Sequence, residues 1–63
     1  MDKQEIYSPD GTLRGCLIES SDRTELIDHY GRLLGVYQPG TNETHDNHGR
    51  FIGRGNLLLT LLP

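Results

Sequence analysis

Apolar residues fall in short runs along this chain, and each run is cut by a turn rich in glycine and small polar residues. Ile6-Tyr7, Leu26-Ile27 and Thr44-His45 lead into such turns, and Leu13 to Ile18, Leu33 to Tyr37 and Phe51 to Arg54 lead out of them. Runs of this length bounded by turn residues are strand signals. The pattern predicts strands near residues 4–7, 12–18, 24–28, 32–37, 42–45 and 50–54.

The turns repeat. Ser8-Pro9-Asp10-Gly11-Thr12-Leu13-Arg14-Gly15, Asp28-His29-Tyr30-Gly31-Arg32-Leu33-Leu34-Gly35 and Asp46-Asn47-His48-Gly49-Arg50-Phe51-Ile52-Gly53 align without gaps. Gly11, Gly31 and Gly49 are 20 and 18 positions apart. Internal periodicity of this kind marks repeated supersecondary units. The chemistry of the first half is that of a hairpin tip. Ser8, Asp28 or Asp46 accepts hydrogen bonds from backbone N–H groups two residues on. Gly11, Gly31 or Gly49 supplies the left-handed conformation that follows a type I turn and makes a bulge. Hairpin repeats are therefore expected at about 4–18, 24–37 and 42–55.

A second glycine lies four residues after each turn glycine, inside the outgoing strand. Strand side chains alternate, so strict alternation places Leu13 with Gly15, Leu33 with Gly35, and Phe51 with Gly53 on shared faces. Glycine inside a strand marks a bend or a close backbone approach. The expectation is that Leu13, Leu33 and Phe51 enter the core while a neighbouring hairpin crosses tightly over Gly15, Gly35 and Gly53. The alternative is that these glycines merely twist their strands. The opposite faces then carry Thr12, Arg14, Cys16 and Ile18; Arg32, Leu34 and Val36; and Arg50, Ile52 and Arg54. The middle hairpin is apolar on both sides and should be the most buried.

The links are short and polar. Glu19 to Thr24 joins the first two hairpins. Gln38-Pro39-Gly40-Thr41 joins the next two and fits a type II turn, with Gly40 left-handed. After Gly55-Asn56 comes the most hydrophobic stretch, Leu57-Leu58-Leu59-Thr60-Leu61-Leu62, within a tail spanning 56–63. Left exposed, it would drive aggregation. Its own hairpins or a second copy must cover it, as a strand or extended segment or as a short helix capped by Asn56; the extended form is the expectation.

Size sharpens that point. The chain has 63 residues, 33% of them hydrophobic, with no Trp, so one domain is expected and its core is meagre. Cys16 has no partner for an internal disulfide and reads as a small buried apolar residue. A single cysteine and no signal peptide imply a reducing, cytoplasmic setting. The Leu57–Leu62 run is too short to span a bilayer. The net charge is −3, which disfavours a broad nucleic-acid-binding face.

The turns of the second and third units, "IDHYGRLLG" and "HDNHGRFIG", resemble the YD repeats of Rhs-type proteins and the hairpin units of small bacterial β-flower domains. The likeness covers three units of about 14 residues each, roughly two thirds of the chain. The first unit departs from the pattern at Ser8, and the third at His45. The resemblance implies a bacterial or phage β-repeat protein. Three units are too few for the enclosing shell of Rhs proteins, and no activity carries over.

Candidate chemistry is sparse. His45, Asp46 and His48 offer metal donors, but zinc takes about four ligands in tetrahedral geometry. Arg32, Arg50 and Arg54 could touch nucleic acid. "GRGN" at 53–56 lacks the following Lys-Ser/Thr helix of a phosphate loop, and no nucleophile or paired-carboxylate motif is present. Tyr7, Tyr30 and Tyr37 read as ordinary cross-strand packing. The expected protein is thus all-β, a meander of three repeated hairpins with a Leu-rich C-terminal segment, non-enzymatic and without a cofactor. It is expected to act as a structural or protein-interaction module, a homo-oligomer with the dimer favoured, or the partner of another protein. Leu57, Leu58, Leu59, Leu61 and Leu62 and an exposed sheet edge are the candidate self-association surface.

Overall fold

The hairpin tips close as the turn chemistry requires. Gly11, Gly31 and Gly49 have φ of 88°, 86° and 81°. Their N–H groups donate to Ser8 O (2.9 Å), Asp28 O (3.0 Å) and Asp46 O (3.0 Å), and the N–H groups of Ser8, Asp28 and Asp46 donate across the turn to Thr12 O, Arg32 O and Arg50 O. A type I turn followed by a left-handed glycine produces this pattern. In the computed structural model, which describes residues 2–62, the strands joined by these tips are β1 (Asp2–Tyr7), β2 (Leu13–Glu19), β3 (Thr24–Asp28), β4 (Leu33–Gln38), β5 (Glu43–Asp46) and β6 (Phe51–Arg54). The fold is all-β. The six strands form one antiparallel sheet in the order β1-β2-β3-β4-β5-β6, and one 3-10 turn follows at Leu58–Leu61.

Each hairpin carries a second irregularity beyond its tip. The register jumps from Ile6↔Gly15 to Tyr7↔Leu13, from Leu26↔Gly35 to Ile27↔Leu33, and from Thr44↔Gly53 to His45↔Phe51. Arg14, Leu34 and Ile52 are the extra residues. A bulge breaks the period of two and moves everything beyond it to the other face. Leu13, Leu33 and Phe51 therefore do not share a face with Gly15, Gly35 and Gly53, contrary to the strict-alternation reading.

Cross-strand pairing defines the two faces. Gly15, Leu17, Thr24, Leu26, Asp28, Gly35, Tyr37, Thr44, Asp46 and Gly53 form one row of partners. The 3-10 segment lies over this face. A Cβ built on Gly15 would meet Leu62 Cδ2 at 3.3 Å, one on Gly35 would meet Leu61 Cδ1 and Leu58 Cδ2, and one on Gly53 would meet Leu57 Cδ1 at 2.6 Å. The glycines form a trough that accepts the tail's leucines. For Gly15 and Gly35 the next hairpin also approaches, through Ile27 O and His45 O.

The core sits here. Leu26 and Leu58 are fully buried, as is Thr44, and Thr24 and Asp28 are buried beside them. Thr44 fixes where the tail leaves the sheet: its Oγ1 donates to Gly55 O (2.7 Å) and accepts from Leu57 N–H (3.0 Å). Asn56 Oδ1 accepts from Leu58 N–H at 3.2 Å. The tail is therefore neither strand nor extended segment. Its exit from the sheet at Gly55 (φ 89°) points it back across the trough, where a tight turn seats more leucines than an added strand could.

The 38–41 link also differs from expectation. Gly40 is not left-handed; Asn42 is, at φ 56°. Consecutive bonds from Thr41 N–H to Gln38 O and from Asn42 N–H to Pro39 O, both 3.3 Å, make a helix-like turn that ends on asparagine, a residue that tolerates this conformation.

Candidate interaction surface

The three tips line one end of the sheet. In the second, Asp28 Oδ1 accepts from Tyr30 N–H and Arg32 N–H, both at 2.9 Å, and Oδ2 accepts from Arg32 Nε at 3.2 Å. In the third, Asp46 makes the same set with His48 N–H, Arg50 N–H and Arg50 Nε, at 2.9, 2.9 and 3.2 Å. Accepting the arginine's backbone N–H first, and then the other donors, holds both carboxyls below the usual range, although burial opposes this. The first tip is built differently. The Ser8 side chain accepts no backbone N–H; its hydroxyl donates toward Asp10 Oδ1, with Thr12 O also within reach, and Asp10 Oδ1 takes Thr12 N–H at 3.0 Å. A serine has one short oxygen and cannot reach the donors that a carboxylate spans, so Asp10 substitutes. The hydroxyl of Ser8 and the N–H of Thr12 lower the Asp10 carboxyl to about 2.

The tips do not gather His45, Asp46 and His48 into one cluster of donors. His45 lies on the face away from the trough, edge-on to Phe51 (ring centroids 5.9 Å apart) and 3.9 Å from Glu43 Oε1. Asp46 faces the trough side and is occupied by its turn. His48 is at the exposed tip. Strand alternation and the turn send the three in different directions, and among the described residues no group of three His, Cys, Asp or Glu side chains could hold a metal ion. Arg32 and Arg50 are each tied to their own turn aspartate, and Arg54 lies at the far end of β6, across from Glu43. Arg32 and Arg50 thus sit at neighbouring tips, and Arg54 at the other end of β6. Tyr30, 73% exposed, instead stacks locally, with His29 at 4.0 Å between centroids and the Arg32 guanidinium carbon 5.2 Å from its ring centre.

The leucine run does not stand free as a self-association surface. Leu58 is buried, Leu57, Leu61 and Leu62 are half-buried against the trough, and Leu59 is exposed. Among the described residues, every buried side-chain nitrogen or oxygen has a hydrogen-bond partner.

What the fold leaves open is the other face. Lys3, Glu5, Tyr7, Leu13, Cys16, Ile18, Glu25, Ile27, Leu33, Val36, His45 and Phe51 are its cross-strand partners. Its aliphatic residues and Cys16 are half-buried, while Tyr7 and Phe51 are each 55% exposed. A shallow hollow near β1 is bordered by Lys3, Glu5, Leu13, Cys16, Ile18 and Ile27. Cys16 is a free, half-buried thiol in its wall, not a core residue. Reasoning from sequence missed this face; the alternation of Cys16, Ile18, Ile27 and Val36 signals it once the bulges are placed. It also missed Thr44, whose strand position gives no hint of its two bonds to the tail.

Among the described residues no helix is long and apolar enough to cross a membrane. Set against known protein families, curated proteins and solved structures, the chain matches none of them.

Proposed function

We propose that this chain is a small non-enzymatic protein-interaction module that associates with its own copies through the part of the sheet that its tail does not cover. The observation that carries this is the asymmetry of the sheet. One face is closed by Leu57–Leu62 over the glycine trough, and the other presents half-buried aliphatic residues flanked by exposed Tyr7 and Phe51. Contiguous apolar surface on a small domain marks interaction sites, and unpaired strand edges invite a further strand. The turn aspartates are all engaged in holding hairpins, which supports a structural role for the chain's polar residues over a catalytic one. Sedimentation equilibrium across a wide concentration range tests the reading. A mass that rises with concentration toward the dimer is expected; a monomer at every concentration would remove it.

A further inference from the structure

The two edges of the sheet differ in what they offer a newcomer. β6 spans four residues, Phe51–Arg54, and the chain turns away at Gly55. β1 spans six, Asp2–Tyr7, with every side chain exposed except that of Ile6, which is half-buried. Ser8 N–H donates toward β2, to Thr12 O at 2.9 Å. Main-chain groups alternate in direction along an antiparallel strand, so those of Ile6, Gln4 and Asp2 also face β2. The N–H and C=O groups of Lys3, Glu5 and Tyr7 face outward, where the sheet has no further strand.

The side chains of those three residues lie on the open face, across from Ile18, Cys16 and Leu13. A second β1, antiparallel and hydrogen-bonded through the outward groups, has five registers within the strand, and those centred on Ile6 and Tyr7 overlap only three residues and one residue of it. One sets Lys3 against Lys3, another sets Glu5 against Glu5, and like charges directly opposite are unfavourable. The register centred on Gln4 sets Lys3 against Glu5 in both directions. Two opposite-charge pairs then flank Gln4 facing Gln4 across a two-fold axis, the commonest symmetry of homodimers. β6 lacks this self-complementarity, since its one charged residue is Arg54.

We infer that a second copy of this chain docks edge to edge on β1 in the register that pairs Lys3 with Glu5, joining the two open faces into one. This rests on the self-association proposed above and adds to it the strand and the register. The contact is small, in the size class of weak, concentration-dependent encounters.

Sedimentation equilibrium with charge reversals tests it. Lys3→Glu and Glu5→Lys each turn two attractive pairs into two repulsive ones, and each should weaken dimerisation by roughly tenfold. The double variant Lys3→Glu/Glu5→Lys, and an equimolar mixture of the two single variants, should restore it to within about threefold of the original. A dimer indifferent to all these changes overturns the register while leaving self-association standing; a monomer at every concentration overturns both. Disulfide trapping gives a second reading, in a Cys16→Ser background. Gln4 faces Gln4 at a non-hydrogen-bonded site with Cα atoms about 4.5 Å apart, within disulfide reach. Gln4→Cys should therefore cross-link on mild oxidation and Lys3→Cys should not. Cross-linking through Lys3→Cys but not through Gln4→Cys would overturn the inference.

Discussion

The two faces of this sheet are built on opposite plans. On the covered face the strands contribute Gly15, Gly35 and Gly53, and the apolar bulk arrives from the tail: Leu62 over the first, Leu61 and Leu58 over the second, Leu57 over the third. On the other face the strands contribute Leu13, Ile18, Ile27, Leu33 and Val36 themselves, and nothing within the described chain lies over them. A chain with so few apolar residues closes one side of its sheet well and leaves the other available. Stability should therefore depend on the covered face and association on the open one. The largest test is Leu58→Ala. Leu58 is fully buried, and such truncations cost about 3 kcal/mol. A domain of this size has roughly 3–9 kcal/mol in total. Thermal melting should show Leu58→Ala mostly unfolded or with a Tm lowered by tens of degrees. A Tm within a few degrees of the original would mean that the tail does not close the trough.

The glycines give a graded version of the same test. A Cβ on Gly15 would lie 2.5 Å from Ile27 O, and one on Gly35 would lie 2.8 Å from His45 O; both obstacles are backbone. A Cβ on Gly53 would meet only Leu57 Cδ1, the end of a flexible side chain. Overpacking against something that cannot move costs about 1–3 kcal/mol. Gly15→Ala and Gly35→Ala should fall near the upper end, and Gly53→Ala should cost about 1 kcal/mol or less. Denaturant titration of the three variants checks the order. Equal costs would show that the glycines serve strand geometry alone rather than close approach.

Local chemistry was readable in advance, and long-range placement was not. The tips at Gly31 and Gly49 could be read because a left-handed glycine and an aspartate three residues earlier make a turn from neighbours alone; at Gly11 the glycine was legible, but Asp10 rather than Ser8 takes the backbone N–H. Strand positions followed from those turns to within a residue or two. The faces of Leu13, Leu33 and Phe51 could not be read, because a single extra residue at Arg14, Leu34 or Ile52 reverses them, and the opposing strand decides where that residue goes. The docking of Leu57–Leu62 is tertiary and was not legible: the inner glycines were expected to receive a neighbouring hairpin, and the tail's leucines lie over them. The His45-Asp46-His48 grouping failed for a geometric reason, since adjacent strand residues point to opposite faces. Nothing in the sequence distinguished the β1 edge from that of β6 until the strand order was known.

The turn aspartates sit on the covered side of the pairing, Asp28 across from Gly15 and Asp46 across from Gly35, and they tie that face to pH. Both carboxyls are held below their usual range, chiefly by the N–H groups of Arg32 and Arg50. A carboxyl whose pKa is lower in the folded state stabilises the fold above the unfolded-state value, about 4, and that stability is lost as pH falls through the lower folded value. Tm should therefore hold from neutral pH to about 4 and decline below it. In Asp28→Asn/Asp46→Asn the amide oxygen still accepts backbone N–H groups, but the titration is gone. The variant should start from a lower Tm at neutral pH and lose less on acidification. An acid decline as steep in the variant as in the original would assign it to other carboxylates, such as Asp10, whose pKa is lowered to about 2 by the Ser8 hydroxyl and the Thr12 N–H.

The smallest effect on stability, and the one that separates edge from face, comes from a matched pair on the open side. Tyr7 and Phe51 are both 55% exposed, and they occupy the two opposite edge strands, β1 and β6. Replacing either with serine removes little buried area, so each should shift stability by no more than about 0.5 kcal/mol. Tyr7 loses a hydrogen bond to Glu5 Oε1 at 3.2 Å, and Phe51 its edge contact with His45. Their effects on association should differ. In the β1–β1 register Tyr7 lies diagonal to Lys3 of the second copy, a spacing that aromatic and long side chains span. Phe51 lies on the far edge and touches nothing new. Tyr7→Ser should weaken dimerisation severalfold while Phe51→Ser leaves it unchanged. If instead Phe51→Ser is the damaging change, the copies meet through the open face at the β6 side, and the edge that counts is the shorter one.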